Sequence, residues 1–85
     1  MFQKESSIKK YRPGVYIKDA LEVMKMTTKE FSVKTGISKY KLHGIISGNS
    51  SITFEIASKL SSFFNNSIKY WLNLQIQYDL YLKRI

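Results

Sequence analysis

The sequence predicts an all-α domain of five helices joined by short turns, with the longest helix last. Three observations carry that prediction. Apolar residues recur at the three- and four-residue spacing of a helix face, and no segment reads as a strand. Helix-capping residues, Thr27, Ser38, Thr53 and Ser67, stand just ahead of the apolar stretches. Chain breakers, Gly36, Gly48 and the pair Asn65-Asn66, stand just behind them.

The first helix is expected over Pro13–Met24. Proline suits a first turn, where its missing N–H has no partner to lose. Ile17, Ala20, Leu21 and Met24 then form one apolar face. Thr27 and Glu30 make a capping box for a short second helix ending near Thr35, with Phe31 and Ser32 turned inward. Gly36 supplies the positive φ that stops it. Ser38 caps a third helix, Lys39–Ser47, flanked by Ile37 and Leu42 at the positions of a hydrophobic staple. Leu42, Ile45 and Ile46 point inward from it. After the loop at residues 48–51, Thr53 caps a fourth helix whose stripe is Ile56, Ala57, Leu60, Phe63 and Phe64. Ser67 opens the fifth, from Ile68 towards Ile85. Residues 1–12 read as a polar, basic arm, and residues 13–85 as a single domain.

Composition removes several function classes. Cysteine is absent and His43 is the only histidine, so thiolate and histidine metal sites have no ligands and no cofactor is expected. No apolar run approaches the roughly 20 residues that span a bilayer. The N-terminus lacks a signal core, so a cytoplasmic location is expected. No nucleophile with an adjacent base, no carboxylate pair and no phosphate-cradling glycine loop can be assembled, which excludes an enzyme. With 44% hydrophobic residues, the chain has enough apolar surface to fold rather than stay disordered.

The formal net charge is +8, and its distribution is informative. No acidic residue occurs from Phe31 to Phe54, while Lys34, Lys39, Lys41 and His43 lie inside that window. That is the footprint expected of a surface facing phosphates. The window coincides with a capped helix, a glycine turn and a second capped helix, the helix-turn-helix arrangement. With Leu42, Ile45 and Ile46 inward at 100° per residue, the outer face of the third helix carries Tyr40, His43, Gly44 and Ser47, with Lys39 and Lys41 on its flanks. Lys39 and Tyr40, in the first turn, suit base edges in the major groove, and Lys41 suits a phosphate. Thr28 can donate to a phosphate beside the N–H groups that open the second helix. Asn49 and Ser50 can clamp the backbone, although loop polarity explains them equally well. Gly44 is costly within a helix. Either it admits a close approach to the groove or it is a tolerated glycine near the helix end.

From Arg12 onward the chain resembles the HigA family of antitoxins, within the lambda-repressor-like group of helix-turn-helix regulators. The residues that carry the resemblance are Arg12-Pro13-Gly14, Thr35-Gly36-Ile37-Ser38, Ile46-Ser47-Gly48-Asn49, Ile52-Thr53 with Ala57 and Leu60, and above all the run from Trp71 to Leu80. The resemblance implies a dimer that binds double-stranded operator DNA, represses its own operon and neutralises a RelE-like endoribonuclease toxin. It puts the DNA-contacting positions at Thr28, Ser38, Lys39, Tyr40, Lys41, His43 and Gly44. Ser32 and Thr35 depart from the family's usual alanine and leucine, which implies looser or wetter packing around the turn. Because RelE-like toxins are themselves basic, charge masking is not the implied neutralising mechanism.

The last helix bears on assembly without reference to any family. Trp71, Leu74, Tyr78, Leu82 and Ile85 form one stripe, expected against the core. Leu72, Ile76 and Leu80 form a second, which one small domain cannot easily bury, so a two-fold dimer through this stripe is expected. Packing of the same stripe on the N-terminal arm is the alternative. The intervening polar residues Asn73, Gln75, Gln77 and Asp79 argue against a membrane-surface helix. Two other functional readings stay open at this level: a repressor of the same fold with no toxin, and a toxin-neutralising module that no longer reads DNA.

Overall fold

A computed structural model describes residues 12–84. Its helices are α1 (Pro13–Met24), α2 (Thr28–Thr35), α3 (Lys39–Ser47), α4 (Phe54–Phe64) and α5 (Ile68–Arg84), with no strand among the described residues. The arm before Arg12, and the place of Ile85 in the last stripe, lie outside the described residues.

Every cap expected from the sequence forms. Thr27 Oγ1 accepts from the Glu30 N–H at 3.1 Å while Glu30 Oε1 accepts from the Thr27 N–H at 2.8 Å, completing the capping box. Ser38 Oγ accepts from Lys41 N, Thr53 Oγ1 from Ile56 N and Ser67 Oγ from Tyr70 N. Each bond satisfies an amide that the helix itself leaves open, worth about 1 kcal/mol. At the other ends, Gly36 and Gly48 adopt left-handed φ values of 82° and 91°. Lys25 ends α1 with φ 55°. The sequence gives no sign of this, because a β-carbon resists that conformation.

Ile17, Leu21, Phe31, Ile37, Leu42, Ile45, Ile52, Ile56, Ala57, Leu60 and Trp71 form one buried cluster. Phe31 sits near its aromatic end, with the Phe63 ring edge-on at 5.0 Å and Phe64 at 5.8 Å. Phe64 passes the contact on to Trp71 at 5.5 Å, so ring packing joins α2, α4 and α5. The indole N–H of Trp71 donates to Asn66 Oδ1 at 2.8 Å, which lets the ring be buried without a stranded donor.

Two contacts fix α3 within this frame. The start of α1 crosses the end of α3 so closely that a β-carbon at Gly14 would overlap the Ile45 carbonyl oxygen and lie 2.5 Å from Ile46 Cα. Beside it, Arg12 Nε donates to the Ile46 carbonyl at 3.1 Å, and the Arg12 side chain lies across Gly48. The turn between α2 and α3 is tied by side chains. Ser32 Oγ donates to Ile37 O at 2.6 Å, Thr35 Oγ1 donates to Phe31 O at 2.8 Å and accepts from Ile37 N at 3.2 Å, and Lys59 Nζ donates to Gly36 O at 3.1 Å. Ser32 and Thr35, where the family pattern has alanine and leucine, thus bring polar groups to the turn. Their hydroxyls satisfy backbone groups of the turn.

On α5, Trp71 is buried, and Leu72 and Leu74 pack partly buried against the core. Leu82, expected on that inner stripe, is instead 47% exposed. At 1.5 Å per residue α5 is about 25 Å long and α4 about 16 Å, so α5 outruns the helix it packs on. Among the described residues, Ile76, Leu80 and Leu82 in its last turns stay exposed.

Candidate nucleic-acid interface

The periodicity of α3 resolves as the spacing demands. Leu42 and Ile45 are buried and Ile46 is half-buried, while Lys39, Tyr40, Lys41, His43 and Ser47 are exposed. Tyr40 is 84% exposed, a large aromatic held out of the core by the register of the helix rather than by any lack of apolar character. Its neighbours across one turn, His43 and Gly44, join it in lining a cleft of about 400 Å³ together with Ser47, Asn49 and Ser50. All six were singled out in the sequence, Tyr40, His43, Gly44 and Ser47 on the outer face and Asn49 and Ser50 in the loop, and they are thus brought into one depression. Lys39 and Lys41 stand outside it on the same helix.

Ser38 is exposed, but its hydroxyl oxygen accepts from the Lys41 N–H. Its first role is therefore to cap α3. Thr28, half-buried at the first position of α2, is not among the residues that line the cleft. The loop after α3 folds back on the helix: the Asn49 and Ser50 N–H groups both donate to Gly44 O, at 2.8 and 3.0 Å. Ser47 Oγ donates to the same carbonyl at 3.2 Å. The loop is therefore a built part of the face, with Ile52 N–H held by Gln75 Oε1 at 2.8 Å from α5.

Away from α3, Ile76 and Leu80 are 51% and 53% exposed and line a second hollow with Asp79, Leu82 and Lys83 on α5. Leu72, grouped with them in the sequence, shares in the core instead. Sequence reasoning quoted Arg12 and Gly14 only as part of a motif and missed that they seat α3. The unbroken Arg-Pro-Gly string was the available signal. Among the described residues no cluster of potential metal ligands occurs, and no helix is long and apolar enough to cross a membrane.

No protein-family model matches the chain. Over 69 residues, 81% of this chain and 73% of the relative, it is 32% identical to the uncharacterized HTH-type transcriptional regulator YddM of Escherichia coli K12. It is similar to the solved structure of an addiction module antidote protein of the HigA family from Coxiella burnetii. There the TM-score is 0.79 and the identity 30%, with 84% of this chain and 78% of the other covered. The fold alone is shared with the Pseudomonas aeruginosa antitoxin HigA, solved with the higBA promoter, at a TM-score of 0.81 and 23% identity over 87% of this chain and 82% of that one.

Proposed function

Because the chain belongs to the HigA family of addiction-module antidote proteins, within the helix-turn-helix regulators, we propose that it is a cytoplasmic antitoxin and autorepressor. In this reading it binds the operator of its own operon as a homodimer and neutralises a RelE-like mRNA endoribonuclease. The observation that carries the DNA half is the outward face of α3, where Tyr40 and His43 open a cleft in an acid-free, basic stretch. The Pseudomonas aeruginosa protein of the same fold was solved with its promoter, which is in keeping with a DNA-binding role.

Each residue then has a role. Lys39, Tyr40 and His43 meet base edges in the major groove, while Lys41, Thr28, Ser38 and Asn49 meet phosphates. Gly44 floors the cleft. Ile76 and Leu80, with the half-buried Leu72 behind them, form the two-fold contact. That contact would hold two copies of α3 about 34 Å apart, one turn of the duplex. The protein acts by binding and not by catalysis.

The test is a pair of alanine variants assayed on the promoter DNA of its own operon over a range of salt. Lys39→Ala is expected to relax one base position at a cost of about 1–3 kcal/mol. Lys41→Ala is expected to weaken all sequences alike and to lower the salt slope by about 1. If both variants bind as the parent does, the assignment of α3 is wrong. Co-expression with the neighbouring reading frame tests the toxin half. A toxin that co-purifies while the promoter stays unbound would favour the module that no longer reads DNA.

A further inference from the structure

Gly44 faces outward, yet the space beside it is filled. The two N–H donations from Asn49 and Ser50 to Gly44 O draw the loop back over α3. A β-carbon at Gly44 would overlap Ser50 Oγ and lie 3.1 Å from Ser50 Cβ. The loop side chain thus occupies the place that a side chain at position 44 would take. We propose that Ser50 supplies, from the loop, the hydrogen-bonding group with which this position of the recognition face reads a DNA base edge, Gly44 being the gap that admits it. The inference rests on the DNA-binding reading of α3.

Three observations favour base reading over a phosphate clamp. The amides of Asn49 and Ser50 are both engaged by Gly44 O, so neither is free to hold a phosphate as loop amides commonly do. Of the two serine hydroxyls in the cleft, Ser47 Oγ is spent on Gly44 O, whereas Ser50 Oγ has no hydrogen-bond partner among the described residues. Ser50 is also half-buried, walled by Tyr40, His43, Ser47 and Asn49. A group projecting into that cleft meets it, while a smooth phosphate ridge does not. A hydroxyl both donates and accepts, so it can pair with the amino, carbonyl or ring-nitrogen edge of a base in the major groove.

The experiment selects duplexes from a randomised pool with the full chain, with Ser50→Ala and with Gly44→Ala, each first checked for an unchanged melting temperature. The parent is expected to enrich one motif. Ser50→Ala should enrich the same motif with one base position relaxed, a loss of about 3- to 10-fold in discrimination for one neutral hydrogen bond. Its salt slope and its binding to unselected duplex should stay unchanged. Gly44→Ala, which pushes the Ser50 hydroxyl aside, should relax the same position. A Ser50→Ala motif identical to the parent's overturns the proposal, as does uniform weakening with a shallower salt slope. If the parent itself enriches nothing, the DNA-binding reading fails before any variant is compared.

Discussion

Replacing Gly14 with alanine tests the backbone-to-backbone seat of α3 on α1. The added β-carbon would lie 2.5 Å from Ile46 Cα and 2.7 Å from the Ile45 carbonyl carbon. Ordinary carbon contacts fall at about 3.5–4.0 Å, so the two helices must part by about 1 Å. Neither obstructing atom belongs to a side chain that can rotate away. Overpacking of this kind costs about 1–3 kcal/mol, and the Arg12 bond to Ile46 O, worth about 1 kcal/mol, is strained with it. Alanine's advantage over glycine in a helix returns at most about 1 kcal/mol. The net loss is about 1–3 kcal/mol. That is substantial against the roughly 4–13 kcal/mol expected of a domain this size, and it lowers the melting temperature by about 4–24 °C. Far-ultraviolet circular dichroism, with parent and variant at matched concentration, measures it. Gly36→Ala is the comparator. Nothing lies within 4 Å of its added carbon, and only its φ of +82° resists, so it should lose about 1 kcal/mol. A Gly14→Ala melting point within about 3 °C of the parent, or a larger loss at Gly36, would refute the reasoning.

Ser32→Ala removes the donor to Ile37 O and should cost about 1 kcal/mol in urea unfolding. An unchanged midpoint would mean that solvent satisfies that carbonyl. Lys25→Gly relieves a left-handed lysine at φ 55° and should raise stability by about 0.5–1 kcal/mol; a fall would contradict that cap geometry. Leu80→Asp should leave the protein folded, since the leucine is 53% exposed, but monomeric by sedimentation. A Leu80→Asp protein that still sediments as a dimer would remove α5 from the proposed interface.

Much of the frame was readable because its causes are local. A cap such as Thr27 or Ser38 acts on an amide three residues away, and the outward aim of Tyr40 and His43 follows from helical periodicity once Leu42 and Ile45 are inside. What escaped was non-local or weakly encoded. Arg12 meets Ile46 34 residues further along the chain, and no spacing rule links them. Gly14 looks like any glycine after a proline until α3 is laid across it. Leu82 sat on the right stripe, but periodicity reports only a direction and not whether another helix lies there. The place of Ser50 over Gly44 depended on the path of the loop, which the run Gly48-Asn49-Ser50-Ser51 does not specify.

The tie between Arg12 and the last turn of α3 also bears on modularity. Helix α3 does not carry its own posture. Its Ile46 carbonyl is held by a residue that precedes α1, and its returning loop is pinned to α5 through Gln75. Transplanting residues 28–50 onto a foreign scaffold would move the side chains and leave both anchors behind. On the proposed DNA-binding role, respecifying this protein for a new sequence therefore calls for changing exposed residues in place, with Arg12, Gly14 and Gln75 kept as the mount.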